Sequence, residues 1–417
     1  MKIRYQFNTL PLLALLGTAT AADAQVQPQL AQRWFEEATK LCERDAGRLW
    51  GVSLCGPMVI VDQATGTRAT SQPEPEGQPP RLPGFADGPV SWGGLRWFSW
   101  PLYMLADKTA DERQRIMLHG LFHRIQAELG FTPSNGLNEH LDTLEGRVWM
   151  QLEWRALRRA LESSGSDRAE AIGDALAFRR ERRRLFPGAA DSERREEIKE
   201  GLPSYTGVAA WANSPADAHR AAAPPPSIDA SIVGAFAYTS GPAYGVLLDD
   251  LLPGWRRQVR STSDLGDLLA SANKRPLTTD VAVAAARYDA ATLRTAEEAR
   301  DRARQVRVAE LRRRFVDGPV LTVPAVGSRT SDSTGAVGIP AAGTVFFHNF
   351  TLSAQWGHLN ADGGVLLAAD ESTLSVPVTG PLEGTTLKGD GWSATLNPGW
   401  VVRPAVRSGS FTIVREK

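Results

Sequence analysis

Apolar positions recur at three- and four-residue intervals over residues 29–48 (QLAQRWFEEATKLCERDAGR), placing Leu30, Trp34, Ala38 and Leu41 on one face and charges on the other. An α-helix imposes this period on a half-buried segment, so the stretch is predicted as an amphipathic helix. The pattern then shortens. SLCGPMVIVD (53–62) and TRATS (67–71) read as paired strands around Ala64-Thr65-Gly66, and proline and glycine dominate residues 73–89, which read as a loop. VSWGGLRWFSWPL (90–102) is rich in tryptophan and strand formers, with Gly93-Gly94 suited to a hairpin turn. A small sheet is therefore expected ahead of the helices. From Asp111 to about Lys199 helical spacing returns among many charges, and Gly130 to Gly136 separates the first helix from the second. Residues 213–227, mostly alanine and proline, read as an exposed loop; helices are expected again over 229–258 and 276–315. From Gly318 the chain turns to short alternating runs such as GTVFFHNFTLSAQW and SATLNPGWVVRPAV, a β pattern, with no internal repeat.

The predicted fold class is α+β, a mainly helical core with a small N-terminal sheet followed by an all-β C-terminal domain. The expected divisions are a signal peptide over 1–24, the first helix and small sheet over 25–110, a helical region over 111–315 and a β-rich domain over 316–417. The signal reading rests on Lys2 and Arg4 ahead of the apolar run Leu10 to Leu16, then small residues ending in Ala22-Asp23-Ala24. Cleavage after Ala24 and a periplasmic or secreted location are expected. No stretch approaches the roughly 20 apolar residues of a membrane helix, so no transmembrane segment is expected.

Charge changes the picture little. Lysines and arginines number 47 and so do aspartates and glutamates, so the molecule as a whole has no general attraction for nucleic acid. The arginine-rich stretch 179–184 and the mixed stretch 191–200 carry both signs, which reads as a solvated helix face. Cys42 and Cys55, the two cysteines, bracket a short loop and are expected to form a disulfide in an oxidising compartment.

Candidate chemistry concentrates in RQRIMLHGLFHRIQAELGF (113–131), a largely apolar helix that holds His119 and His123. Four residues is just over one turn, so both imidazoles leave the same face at a separation that suits a tetrahedral metal ion. The pair alone reads more readily as histidines that cap, pack or hydrogen-bond than as metal ligands. A second segment, EEIKEGLPSYTG (196–207), puts a glutamate on a later helix, followed by Gly201-Leu202 and then Tyr205. Together the two segments resemble the gluzincin metallopeptidases, which carry H-E-x-x-H on one helix and roughly N-E-G-[FL]-A-x-Y on another. Here Lys199 stands in place of Asn and Pro203 in place of Ala.

The resemblance implies a zincin-like core with zinc held by His119, His123 and Glu200, and a peptide or protein as substrate. Position 120 departs from it: the family has a glutamate there as general base, and this chain has Gly120. Losing such a base costs ~10² to 10⁴ in rate, so hydrolysis is expected to be weak or absent. Glu139, Asp142 or Glu145 in NEHLDTLEGR could substitute, and His140 in the same segment competes with Glu200 as third ligand. Zincins often hold the developing oxyanion with a tyrosine or histidine, a role open to Tyr238, Tyr244 or Tyr205 as well as to core packing. The expected function is thus an exported, zinc-binding, metallopeptidase-like protein. The alternatives are an active peptidase with a substitute base, or a metal-free exported interaction protein.

Overall fold

A computed structural model describes residues 27–416 apart from 63–64, 77–86, 132–133, 135, 137, 276–277 and 332–334; the expected signal peptide lies outside the described residues. The first helix, α1 (Pro28–Asp45), buries Ala31, Trp34, Phe35, Ala38 and Cys42. A disulfide joins Cys42 to Cys55 with Cα atoms 5.2 Å apart, tying the end of α1 to the segment that leads into the sheet.

Four strands follow: β1 (Met58–Val61), β2 (Arg68–Thr70), β3 (Gly88–Trp92) and β4 (Leu95–Pro101), in the order β2-β1-β4-β3. β1 runs antiparallel to β2 and parallel to β4, while β3 and β4 form the expected hairpin with Gly93 and Gly94 at φ 57 and 75. Both φ values are positive, as a tight two-residue hairpin turn requires. The two-residue period of β4 splits its aromatic residues. Phe98 and Trp100 face the helical core, and Trp97 joins Trp92 and Val59 in a small cluster on the other side.

The helical layer comprises α2 (Tyr103–Ala106), α3 (Ala110–Gln126), α4 (Leu144–Glu162), α5 (Gly165–Leu185), α6 (Ala189–Glu196), α7 (Leu202–Trp211), α8 (Pro215–Ala222), α9 (Phe236–Leu251), α10 (Leu265–Ala272), α11 (Val281–Ala286) and α12 (Ala290–Arg312). Thr109 and Glu112 close a reciprocal capping box at the start of α3, which defines where that helix begins. Between α6 and α7 the chain makes a wider π-helical turn, Glu197–Gly201. Packing pairs α4 with α5, α3 with α7, and α7 with α9 around one apolar core. Among the described residues no helix is long and apolar enough to cross a membrane.

Two expectations are corrected. The stretch 213–227 contains α8 rather than a continuous loop: the Ser214 hydroxyl accepts from the Asp217 backbone and Pro215 occupies the first turn, so cap chemistry starts a helix in an alanine-rich segment. The arginine run is not a solvated face throughout, because Arg179 and Arg182 are 3% and 0% exposed. Arg179 pairs with Glu197 at 2.7 Å and Arg182 with Glu193 at 2.7 Å, so carboxylates from α6 and the π turn neutralise them inside the core.

The C-terminal region is all β, as expected. Its strands are β5 (Val320–Pro324), β6 (Gly327–Thr330), β7 (Val337–Ile339), β8 (Gly343–Phe346), β9 (Phe350–Ala354), β10 (Gly357–Ala361), β11 (Val365–Ala368), β12 (Thr373–Pro377), β13 (Thr386–Gly389), β14 (Trp392–Leu396), β15 (Trp400–Pro404) and β16 (Phe411–Arg415). They form a five-stranded sheet, β13-β14-β10-β9-β6, and a seven-stranded sheet, β15-β16-β5-β12-β11-β8-β7. Leu321, Leu374 and Ile413 of one sheet meet Leu352 and Leu359 of the other in a separate core. Leu311 at the end of α12, and Phe315 just beyond it, pack onto Ile339, Val345 and Leu366, joining the two regions.

Candidate metal centre

His119 and His123 leave one face of α3, and Glu200 reaches them from the π turn. Nε2 of His119 and Nε2 of His123 are 2.9 Å apart, and they lie 3.4 and 3.3 Å from Oε2 of Glu200. Ligands at ~2.0 to 2.1 Å from a tetrahedral metal lie roughly 3.4 Å from one another, so the three atoms have close to the spacing one ion requires. Among the described residues this is a group that could hold a metal ion.

Neighbouring hydrogen bonds orient the ligand atoms. The Ser204 hydroxyl donates to the Glu200 carbonyl at 2.8 Å, so its oxygen is left to accept from Nδ1–H of His119 at 3.0 Å. The Gln126 amide donates to the carbonyls of Ile198 and Lys199, which turns its oxygen toward Nδ1–H of His123 at 2.7 Å. With both Nδ1 protons committed, both Nε2 lone pairs and a carboxylate oxygen face one another. Three acceptors this close are favourable only around a shared cation or an added proton. Lys199 holds the other Glu200 oxygen, Oε1, at 2.9 Å, leaving Oε2 as the ligating atom.

Ring packing holds the imidazoles in place. Tyr238 stacks on His119 at 5.5 Å between centroids, and Phe98 stacks on His123 at 6.0 Å. The Tyr238 hydroxyl also donates to Oε2 of Glu200 at 2.8 Å. These contacts need close helix crossings. A side chain at Gly207 would meet the Arg115 carbonyl, and one at Gly241 would overlap the backbone of Gly201. Burial lowers the His119 pKa, which favours the neutral form that ligation needs. Burial alone would raise the Glu200 carboxyl, but its contacts with His119 and His123 outweigh that and hold it well below the usual range. The Tyr238 phenol is pushed above its ordinary value by burial and by the Glu200 charge.

A cavity of about 450 Å³ opens beside the cluster, lined by His119, Ser204 and Tyr238 with Phe98, Trp100 and Ile116 among its apolar walls. Gly120 does not open into free space. A Cβ there would lie 2.5 Å from the Trp100 ring and 2.6 Å from Phe98, so the aromatic side chains of β4 fill the place a residue-120 side chain would take.

Other sequence candidates sit elsewhere. His140 pairs with Glu193 at 2.9 Å. Asp142 accepts from Ser231 and the Ile232 backbone, and Glu145 from Arg294, so neither points to the cavity as a substitute base. Glu139 does not line the cavity either. The Tyr244 hydroxyl donates to buried Glu153 at 2.8 Å, with Arg179 over its ring, and the Tyr205 hydroxyl donates to Asp249. Sequence reasoning missed Ser204 and Gln126. The available signal was helical spacing: Ser204 follows Glu200 by four residues and Gln126 follows His123 by three, the separations at which helical side chains meet. Comparison with family models, with curated proteins and with solved structures finds no match.

Proposed function

We propose that this chain is an exported, zinc-binding, metallopeptidase-like protein in which position 120 lends no acid–base help, so that hydrolysis by the family's usual route is weak or absent. The observation that carries the reading is the convergence of two imidazole lone pairs and one carboxylate oxygen, each turned inward by a hydrogen bond behind it. Two nitrogens and one oxygen from protein, with a cavity on the open side, make a donor set that suits zinc with a fourth position free. The gluzincin resemblance of HGLFH and KEGLPSY supports the same three ligands. A bound zinc would polarise a carbonyl and lower the pKa of a bound water toward ~7. The chain's own part is to hold the ligands, to keep water limited on the aromatic side and to present the cavity. The disulfide supports an oxidising compartment.

Zinc content and chelator competition test the reading. Stoichiometric zinc is expected for the natural chain and little for His119→Ala or Glu200→Gln. Gln126→Ala, which touches no metal, should weaken binding roughly 10- to 100-fold by freeing the His123 ring. A natural chain that purifies without zinc from metal-replete medium, and takes up none, refutes the reading and favours a metal-free interaction protein.

A further inference from the structure

Asp87, an exposed residue, immediately precedes edge strand β3 and lines the same cavity as His119, Ser204 and Tyr238. It is not one of the three residues whose ligand atoms lie within 4.8 Å of one another. Asp87 therefore shares the cavity of about 450 Å³ with His119 without being a ligand itself. Among the described residues Asp87 makes no hydrogen bond or ion pair, so its lone pairs are uncommitted. The cavity's other carboxylate, Glu112, is tied to the start of α3 through one oxygen, Oε2, which accepts from the Thr109 hydroxyl and backbone in the capping box. The Ser204 hydroxyl proton is directed to the Glu200 carbonyl, while Lys108 and Arg115 are cations that accept no proton.

We propose that Asp87 is the proton acceptor of this cavity, replacing from the sheet edge the carboxylate that position 120 lacks. The proposal rests on the zinc reading and adds an active hydrolytic route to it, with an amide bond of a peptide as substrate. A water in the cavity gives a proton to the Asp87 carboxylate as its oxygen forms a bond to the amide carbon, and the carbonyl π pair moves onto the carbonyl oxygen. When that pair returns, the C–N bond breaks. Asp87 passes the proton to the leaving nitrogen, which restores the carboxylate and consumes one water per bond cleaved.

The test compares the zinc-loaded natural chain with Asp87→Asn and Asp87→Glu. It reads zinc affinity by chelator competition, cleavage of unfolded casein, and affinity for acetohydroxamic acid followed through tryptophan emission, since Trp100 lines the cavity. A hydroxamic acid releases a proton as it chelates, and a facing carboxylate stabilises that proton. Asp87→Asn should keep its zinc affinity, lose ~10² to 10⁴ in cleavage, and bind the hydroxamate roughly 10- to 100-fold more weakly. Asp87→Glu should recover part of both. Equal cleavage and equal hydroxamate affinity in the natural chain and Asp87→Asn overturn the proposal, as does a zinc-loaded natural chain that cleaves nothing. A chain that binds no zinc fails at the first measurement and overturns the zinc reading itself.

Discussion

Gly120 shows how one missing side chain can be structural as well as chemical. Glycine costs ~1 kcal/mol relative to alanine in a helix, and here it lets Phe98 and Trp100 pack directly on the α3 backbone. Gly120→Glu is therefore expected to lower the thermal midpoint without adding cleavage. Overpacking alone costs about 1 to 3 kcal/mol, and a buried unpaired carboxylate adds to that. Thermal unfolding beside a casein assay checks it; a stable variant that gains cleavage would mean the rings swing aside readily. Tyr238 and Tyr244 make a related point. Six residues apart, they are separated by about 120° around α9, and Tyr238 lines the cavity while Tyr244 turns to Glu153.

The π turn Glu197–Gly201 joins two environments. Glu193 and Glu197 turn inward onto Arg182 and Arg179, which also contact Glu153, while Glu200, three residues on, faces the histidines. The wider turn spreads side chains that a regular helix would hold closer together, which is one reason such turns occur at functional sites. The buried cluster also gives the fold a pH dependence. Burial would raise Glu193, but the Arg182 charge outweighs it and holds the carboxyl well below the usual range; Asp264 is lowered the same way by Arg179 and Arg183. A lowered folded-state pKa contributes stability that is present above the ordinary carboxylate range and lost as pH falls through the folded value. Glu197, raised by burial, works in the opposite sense. Two lowered groups against one raised group predict a net loss of stability on acidification below about pH 4. Urea midpoints measured from neutral to acid pH test this, and Glu193→Gln should flatten the slope. An unchanged slope would mean other carboxylates set it.

Over the whole molecule, two hydrophobic cores are joined by α12 and the small cluster around Phe315. The site belongs entirely to the first of them. The Cys42–Cys55 disulfide also belongs there, and it closes a loop across a sequence separation of 13. A loop of this size stabilises by about 3 kcal/mol, chiefly by restricting the unfolded chain. Replacing both cysteines with serine should lower the denaturant midpoint accordingly and leave zinc stoichiometry intact, because the ligands sit on α3 and the π turn. Loss of zinc from that variant would show that α1 helps to hold α3 in place.

Local periodicity was enough to read the helical core, the β hairpin at Gly93-Gly94 and the change to strands near Gly318, because apolar spacing and turn residues act over a few positions. It was also enough to pair His119 with His123, since their shared face follows from helix geometry. Bringing Glu200 beside them took a motif some 75 residues downstream, and no local rule supplies that contact. The rest depended on packing between distant segments. Phe98 and Trp100 occupy the space at Gly120 only because β4 lies across α3, and Arg179 is buried only because Glu197 and Asp264 arrive from other elements to neutralise it. His140 and Tyr244 leave the site for the same reason: each finds a buried carboxylate nearer than the metal position. Ionic and aromatic partners chosen across the fold carry no short-range signature, so they became visible only once the helices and the sheet were assembled.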